Sequence, residues 1–379
     1  MPDQAVRSVL LAGGGTAGHV NPLLAVADEL RARDAATRLT VLGTATGLEA
    51  DLVPARGYPL VEVPRVPLPR RPTPDWLRLP GRLRAAVAAA GDAIDSTGAQ
   101  VVVGFGGYVA TPAYLAARRR GVPVVVHEQN ARPGLANRLG ARWAHSVAVT
   151  FPGTPLAGAV VTGLPLRRQV ADLVAARAAD PVGTRAAAAA ALGLDPGRPT
   201  LVVTGGSLGA LSLNRAAAGA AADLLAAGVQ VLHLTGRGKA DDVRSAVGAL
   251  GSSAADATGP VYEVREYLAE MELALAVADL VLCRSGAGTV SELAALGVPA
   301  VYVPLPVGNG EQRLNAAPVV DAGGGLLVDD ARATPDLLRD TVVPLLTDDA
   351  RLAAMRSAAA GVGVVDAAAR VADLVEAAA

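Results

Sequence analysis

Short apolar runs alternate along the chain with glycine-containing turns and with Ala/Leu-rich stretches. In the first half these runs predict buried strands at residues 8–12, 39–42, 101–103, 122–126 and 146–150. The pattern then restarts and predicts strands at residues 200–204, 229–234, 261–263, 280–283 and 300–303. Stretches of helical periodicity lie between them, the first at residues 21–33. This alternation is typical of parallel sheets that are covered by helices on both faces.

The restart of the pattern predicts two doubly wound α/β domains that face each other across a cleft. In such sheets ligands bind at the carboxyl ends of the strands. Turn-forming residues at 162–166 suggest a linker. We therefore expect an N-terminal domain over residues 1–163 and a C-terminal domain over residues 164–345. A helical, Ala-rich tail over residues 346–379 is expected to pack back on the N-terminal domain.

Charge and cysteine content narrow the class of protein. The 379 residues include 34 basic and 35 acidic side chains, a balance that argues against a nucleic-acid partner. Cys283 is the single cysteine, so the chain cannot form an internal disulfide. The sequence contains no clean apolar run of about 18 residues, the length that a membrane-spanning helix needs. The sequence predicts a cytoplasmic protein that can touch a membrane without crossing it.

The first glycine-rich loop, residues 13–19, follows a predicted strand and precedes a helix. It fits the G-x-G-x-x-G pattern, in which backbone amides and a helix N-terminus approach phosphate. A dinucleotide site also needs an acidic residue at the end of the next strand, but residues 41–44 are Val-Leu-Gly-Thr. The pattern therefore argues against a nicotinamide enzyme. His19 is unusual in a phosphate cradle and is a candidate general base.

Two further glycine loops occur in the second half, at residues 205–210 and 284–292. The latter enters a helix predicted at residues 290–296. Amides near Gly288 and Thr289 can hold a diphosphate there, and the carboxylate of Glu292 can accept both hydroxyls of a ribose. The structural alternative for Glu292 is an acid in the first turn that is favoured by the helix dipole.

Polar residues also follow two predicted strands. The four residues His-Glu-Gln-Asn at 127–130 are expected to point into the cleft, although Asn130 could instead form a cap or turn. Gln312 and Asn315 could reach a sugar, or could lie in an exposed loop. His145 and His233 lack a motif and are expected to be structural. Because no His/Cys/Asp cluster has metal-ligand spacing, and no D-x-D pair follows a strand, the sequence predicts neither a metal site nor a cofactor.

Taken together, the segments 14–22, 127–130, 205–210 and 283–292 resemble the MurG family of bacterial glycosyltransferases, which have the GT-B fold of two Rossmann-like domains and are of the family 28 type. The resemblance runs in order from about residue 9 to residue 315. It implies inverting transfer of N-acetylglucosamine from UDP-GlcNAc to undecaprenyl-diphosphate-N-acetylmuramoyl-pentapeptide (lipid I), giving lipid II for peptidoglycan. The implied partners are UDP-GlcNAc, lipid I, an anionic membrane surface on the inner face of the cell membrane, and proteins of cell-wall synthesis.

The resemblance also implies roles for individual residues, with the donor bound mainly by the C-terminal domain and the acceptor mainly by the N-terminal one. His19 is the implied catalytic residue. In the first domain, Thr16, Ala17 and Gly18 are implied to contact the donor's sugar and diphosphate, and Asn130 the transferred sugar. The other implied donor contacts are Arg167 and Ser207 for the donor as a whole, Leu268 for uracil through its backbone, Ala287, Gly288, Thr289, Val290, Ser291 and Glu292 for diphosphate and ribose, and Gln312 for the sugar. The sequence departs from the common family residues at Leu164, Ala17, Gly288 and Glu311.

Three alternatives stay open on the sequence. One is a GT-B transferase with another lipid or small-molecule acceptor. The second is a UDP-GlcNAc 2-epimerase, which is expected to carry further acids and a second histidine at the sugar. The third is a nucleotide-binding protein without enzymatic activity. Separately, residues 65–84 contain six arginines together with Trp76, Leu77, Leu79 and Leu83, a combination that favours docking on anionic lipid. Those leucines could instead pack on the domain.

Overall fold

The computed structural model describes residues 7–66, 75–206, 208–250 and 259–379, with side chains omitted at residues 75–78. These residues form two compact units. The first contains the chain up to Arg168 together with residues 364–379, and the second spans residues 169–363. The tail is therefore divided, because the helix Asp349–Val362 belongs to the second unit and the last helix to the first.

The first unit is built on a parallel sheet of seven strands in the order β3-β2-β1-β4-β5-β6-β7. From β1 the chain first adds strands on one side and then on the other. The carboxyl ends of β1 and β4 are thus a topological switch point, where ligands of open α/β sheets bind. The strands are β1 (Ser8–Ala12), β2 (Arg38–Gly43), β3 (Leu60–Glu62), β4 (Val101–Gly104), β5 (Val124–Glu128), β6 (Ser146–Val149) and β7 (Ala159–Val161).

Six helices of the described residues cover this sheet: α1 (Ala17–Arg33), α2 (Leu48–Ala55), α3 (Asp75–Thr97), α4 (Ala110–Arg120), α5 (Leu135–Gly140) and, from the end of the chain, α17 (Ala367–Glu376). Alternate residues of β1 enter different cores, since Val9 and Leu11 pack with α1 and α17 while Leu10 packs with α3 and α4. Arg33 fastens α17 to α1 through ion pairs with Asp373 and Glu376, both at 2.7 Å.

The second unit has a parallel sheet of six strands in the order β10-β9-β8-β11-β12-β13. The strands are β8 (Thr200–Thr204), β9 (Gln230–Leu234), β10 (Tyr262–Arg265), β11 (Leu280–Cys283), β12 (Ala300–Tyr302) and β13 (Gly325–Leu327). The helices are α6 (Arg168–Ala179), α7 (Pro181–Leu192), α8 (Leu211–Gly219), α9 (Ala221–Ala226), α10 (Asp241–Gly248), α11 (Met271–Val277), α12 (Ala287–Ala295), α13 (Glu311–Asp321), α14 (Pro335–Leu337), α15 (Val343–Leu346) and α16 (Asp349–Val362), with a 3-10 turn at Asp330–Arg332 and a π-helical turn at Leu338–Val342.

The prediction of two Rossmann-like parallel-sheet domains is confirmed. Three strands of three residues each, β3, β7 and β13, were not predicted, because each is a short edge strand whose apolar run is too brief to signal. Strand β5 is shifted by two residues, because it spans Val124–Glu128 and was predicted at residues 122–126. Helices α1 and α12 begin four and three residues earlier than predicted, directly after their glycine loops.

Candidate active site

The first glycine loop connects β1 to α1 at the switch point of the first sheet. Residues 15–18 are exposed, and Thr16 occupies the N-cap position of α1. Its side chain makes no capping bond to a described residue and instead lies 3.0 Å from Nδ1 of His19. The amides in the first turn of a helix have no partner within the helix. Ala17 and Gly18 therefore present backbone donors at an exposed helix N-terminus, which is suited to an anionic group.

His19 lies in the first turn of α1 and is half-buried. Its Nδ1 atom lies 3.2 Å from the carbonyl oxygen of Gly14. A carbonyl oxygen only accepts, so the tautomer that makes this bond carries the proton on Nδ1 and keeps a lone pair on Nε2. Burial lowers the pKa of His19 below its usual value of 6.5, and the Gly14 bond and the charge of Glu49 offset only part of that effect. The imidazole is therefore neutral at neutral pH, and in that tautomer it is basic at Nε2, as a general base must be.

Glu49 supports this loop from α2 and is fully buried. Its Oε2 accepts the N–H of Gly15 at 2.8 Å, and its Oε1 accepts the N–H and the hydroxyl of Thr44 at 3.0 and 2.7 Å. Burial alone would raise the pKa of Glu49, but these hydrogen bonds outweigh burial and lower it. Glu49 was not predicted, because an acid that serves the first loop was expected at the end of β2, where Thr44 stands, and not on α2.

The loop after β4 packs against the first glycine loop. Gly106 and Gly107 have φ values of 91° and 79°, which favour glycine. A Cβ atom on Gly107 would lie 2.5 Å from the Gly14 carbonyl oxygen, and one on Gly106 would lie 3.2 Å from Nε2 of His19. Tyr108, which follows, lies beneath the Arg65 guanidinium at 5.1 Å. Both line a cavity of about 80 Å³ beside Gly15.

The sequence predicts that all four side chains of residues 127–130 point into an open site, but the structure buries three of them. Strand β5 continues to Glu128, and His127, Glu128 and Gln129 are buried. His127 donates from Nε2 to the Gly163 carbonyl at 3.0 Å, and burial lowers its pKa to about 4. The prediction was wrong for these three residues because buried polar groups can be satisfied within the fold. Only Asn130 is partly exposed.

Glu128 positions the loop that carries Asn130. Its carboxylate accepts the N–H of Asn130 at 2.9 Å, the N–H of Gly134 at 3.0 Å and the amide of Asn137 at 2.9 Å. The hydroxyl of Tyr114 donates to the other side-chain atom of Asn137 at 2.8 Å. Burial raises the pKa of Glu128 despite these bonds. Asn130 thus lies at the carboxyl end of β5, two strands from β1, on a rigid support.

The remaining residues implied for the donor are dispersed along the chain. Arg167 is partly exposed and lies between β7 and α6. Leu268 is partly exposed and lies in the loop after β10. Ser207 lies outside the described residues. The roles implied for Arg167 and Leu268 stay predictions.

The third glycine loop leads from β11 into α12 in the second unit. Gly286 is the N-cap, and residues 287–290 form the first turn, with Thr289 partly exposed and Val290 buried. A Cβ atom on Gly286 or Gly288 would meet no described atom within 4 Å, so the helix N-terminus faces open space. Glu292 is partly exposed and lies beyond the first turn. This position removes the alternative of a first-turn acid that serves only the helix dipole.

Arg284 holds the third loop in place and was not identified from sequence. Its Nη1 donates to the carbonyls of Val303 and Pro304, both at 3.1 Å, and pairs with Oδ1 of Asp330 at 2.6 Å. Its Nη2 donates to the hydroxyl of Ser212 at 3.2 Å. One side chain therefore links the loops after β11 and β12 with the start of α8. A charge-assisted bond such as the one between Arg284 and Asp330 is stronger than a bond between neutral groups.

Gln312 and Asn315 lie in the first two turns of α13 and have different surroundings. The side-chain oxygen of Gln312 accepts the N–H of Leu305 at 2.9 Å, so its amide nitrogen is the group that can meet a sugar oxygen. Asn315 is fully buried and donates to the Ser285 carbonyl at 3.3 Å. The expectation that Asn315 reaches a sugar was wrong, because it braces the third loop.

The second glycine loop approaches the loop after β9 closely. Gly209 has a φ of 65°, and a Cβ atom there would lie 2.0 Å from the Thr235 carbonyl oxygen. Asn214 of α8 donates to that same oxygen at 3.0 Å and lies 3.1 Å from Nε2 of His233. His233 is buried and also lies 2.9 Å from the hydroxyl of Tyr262. These contacts agree with the structural role expected for His233.

The described part of the chain contains neither a cluster suited to a metal ion nor a helix suited to crossing a membrane. Within residues 7–66, 75–206, 208–250 and 259–379, no group of three or more His, Cys, Asp or Glu side chains is arranged to hold a metal ion. Over the same part of the chain, no helix has both the length and the apolar character that crossing a membrane requires.

Two nucleotide-type glycine loops at helix N-termini and a neutral histidine in a doubly wound pair of units are the features of a sugar-nucleotide transferase. Both halves match models of one such class. The N-terminal domain model of glycosyltransferase family 28 matches residues 9–149, and the C-terminal domain model of that family matches residues 200–371. The chain belongs to glycosyltransferase family 28.

Whole-chain comparisons point to one enzyme within that family. The UDP-N-acetylglucosamine--N-acetylmuramyl-(pentapeptide) pyrophosphoryl-undecaprenol N-acetylglucosamine transferase of Frankia casuarinae is 58% identical over 97% of this chain and 94% of its own length. The crystal structure of Acinetobacter baumannii MurG is 30% identical, covers 98% of this chain and 99% of its own, and superposes with a TM-score of 0.76. The UDP-GlcNAc 2-epimerase of Neisseria meningitidis, at 16% identity over 97% of this chain and 99% of its own and a TM-score of 0.68, shares the fold alone.

Proposed function

We propose that this chain transfers N-acetylglucosamine from UDP-GlcNAc to undecaprenyl-diphosphate-N-acetylmuramoyl-pentapeptide, giving lipid II by an inverting displacement. The observation that carries the proposal is the 58% identity over 97% of the chain to a transferase named for this reaction. The site supports it independently, because a basic histidine lies in the first unit and an open helix N-terminus with a carboxylate lies in the second. The protein is thus a UDP-GlcNAc-dependent glycosyltransferase of peptidoglycan synthesis.

In the proposed step, Nε2 of His19 removes the proton from the acceptor's hydroxyl. The hydroxyl oxygen bonds to the anomeric carbon as the bond from that carbon to UDP breaks on the opposite face, so the configuration inverts. The proton on Nδ1 stays bonded to the Gly14 carbonyl and fixes the ring. A positioned base of this kind contributes on the order of 10²–10⁴-fold in rate.

The leaving diphosphate acquires negative charge, which the first turn of α12 can stabilise through backbone N–H groups and the helix dipole. Glu292, one turn further on, accepts the ribose hydroxyls in this proposal. Arg284 and Asn315 keep the loop in place. The other donor and sugar contacts that we propose are those of Thr16, Ala17, Gly18, Asn130, Arg167, Ser207, Leu268, Ala287, Gly288, Thr289, Val290, Ser291 and Gln312.

The test is release of UDP from UDP-GlcNAc with and without a lipid I analogue. Acceptor-dependent release with formation of a disaccharide product supports the proposal. Release only with an unrelated acceptor indicates another transferase of the same fold. Conversion of UDP-GlcNAc to its C2 epimer without any acceptor indicates an epimerase. Binding of UDP in isothermal titration without turnover on any acceptor indicates a binding protein.

A lipid-linked acceptor also requires the enzyme to dock at the membrane, and we propose that residues 65–84 provide the surface. Residues 67–74 and the side chains of 75–78, including Trp76 and Arg78, lie outside the described residues. Helix α3 begins at Asp75, and Leu83 packs against the core beneath it. That contact makes Leu83 part of the domain and leaves Trp76, Arg78 and Arg82 as the proposed lipid contacts.

Vesicle co-sedimentation tests the docking surface. Trp76→Ala with Arg78→Glu and Arg82→Glu is expected to weaken binding to vesicles that contain anionic lipid, with UDP affinity unchanged, and high salt should weaken the wild type. Arg244→Glu with Arg351→Glu, on exposed helices of the second unit, is the control and should bind like the wild type. Equal sedimentation of the triple variant and the wild type at low salt would move the docking surface elsewhere.

A further inference from the structure

Glu49 is a buried carboxylate that the proposed mechanism does not use. Both of its oxygens are directed at backbone and hydroxyl donors: Gly15 on one side, at 2.8 Å, and Thr44 on the other. Its side chain is inaccessible to solvent. A carboxylate so placed is kept ionised by its hydrogen bonds, because they lower its pKa against the effect of burial. A fixed negative charge therefore lies directly beneath the first glycine loop.

The position of this carboxylate explains why three residues around it are glycines. A Cβ atom on Gly14 would lie 2.4 Å from Oε1 of Glu49, one on Gly47 2.1 Å from its Oε2, and one on Gly43 2.7 Å from its Cγ. Each distance is too short for a real contact, so none of the three positions tolerates a side chain without displacing Glu49. The glycine pattern, which in dinucleotide-binding folds admits a phosphate, here makes room for an internal carboxylate.

We propose that Glu49 is a positioning residue for His19. It occupies the Gly15 amide that an anion would otherwise use, fixes the Gly14–Gly15 backbone whose carbonyl bonds Nδ1 of His19, and stabilises the imidazolium formed when Nε2 takes a proton. The inference rests on the proposed role of His19 as the base. The Gly15 amide is then a structural donor, and a diphosphate could use it only by displacing a carboxylate.

The electrostatic part of this proposal has a direct basis. The charge of Glu49 raises the pKa of His19, in opposition to burial, which is the larger effect and lowers it. Glu49 acts on the ring through space and through the Gly14–Gly15 peptide, without touching the ring. A neutral replacement should therefore make the imidazole a weaker base even where the loop keeps its shape.

The decisive variant is Glu49→Gln, which keeps the size and removes the charge. The first measurement is titration of the four histidines by NMR in the full-length protein, with His19 assigned by comparison with His19→Ala. We expect the His19 midpoint to move to lower pH in Glu49→Gln. Asp51→Asn, which alters the exposed acid in the same first turn of α2, is the control and should leave the midpoint in place. An unmoved His19 midpoint in folded Glu49→Gln would overturn the proposal.

The second measurement is turnover. Glu49→Gln should lower kcat by roughly tenfold, equivalent to about 1.4 kcal/mol, with UDP affinity unchanged, and should move the acid limb of the pH–rate profile to lower pH. Adding Glu49→Gln to His19→Ala should cost little more than His19→Ala alone, because both act through one group. If Glu49→Gln lowers kcat by the same factor with and without His19→Ala, and the acid limb of the pH–rate profile does not move, then Glu49 is a purely structural residue. Absence of acceptor-dependent turnover in the wild type would refute the proposed function. The NMR titration tests the effect of Glu49 on His19 without any need for turnover.

Discussion

The Nδ1 atom of His19 lies 3.2 Å from the carbonyl oxygen of Gly14, and the tautomer that donates to this oxygen has a free lone pair on Nε2. Removing that base should affect the chemical step alone. We expect His19→Ala to lower kcat by about 10²–10⁴-fold, on the order of 3–5 kcal/mol, while the affinity for UDP changes little. Steady-state kinetics with a lipid I analogue and titration with UDP measure the two quantities separately.

The pH dependence of kcat/KM tests the same role of His19. A base works when unprotonated, so kcat/KM should fall as the pH drops through the pKa of His19, and burial places that pKa below its usual value of 6.5. His145→Ala, at an exposed position on the same unit, is the control and should keep both rate and profile. Near-normal turnover of His19→Ala would leave His19 as a residue that merely shapes the loop.

Glu292 should matter for binding of the donor and much less for the chemical step. The side chain is partly exposed on α12, beyond the turn whose amides face open space. We expect Glu292→Ala to weaken UDP affinity by about 1.5–3 kcal/mol, the usual contribution of hydrogen bonds to a charged group. Isothermal titration measures it, with the exposed Glu270→Ala as control. An unchanged affinity for UDP would rule out the ribose contact.

Burial and long-range contacts explain which features could be predicted from the sequence and which could not. Strand β1 was predicted at its observed limits because every position in it is buried and four of its five residues, Val9 to Ala12, form an apolar run. The buried pair His127 and Glu128 looked like site residues because polarity in a sequence does not show whether a partner satisfies it. Glu49 was missed because its bond to Gly15 joins distant parts of the chain, and only the fold brings them together.

Catalysis should proceed without a tightly held divalent cation. In this fold the leaving UDP can be stabilised by helix N-termini, and the open first turn of α12 supplies such donors. We expect turnover in the presence of excess chelator to stay within about twofold of the untreated rate, well short of the several kcal/mol that a catalytic metal supplies. The assay compares dialysed enzyme with and without EDTA, with Mg²⁺ added back as the control. Complete loss of activity, restored by one particular cation, would contradict the prediction.

Two buried histidines should make both units sensitive to acid. Burial lowers the pKa of His127, in the first unit, and of His233, in the second, from 6.5 to about 4. Between these values the unfolded chain binds a proton that the folded chain does not, so stability falls as the pH drops from about 6.5 towards 4. The full effect is about 3 kcal/mol for each histidine. Urea unfolding at pH 7.5, 5.5 and 4.5 measures it, and His233→Gln, although less stable at neutral pH, should lose less stability on acidification than the wild type. Parallel pH dependence in the two proteins would mean that His233 takes up a proton in the folded state.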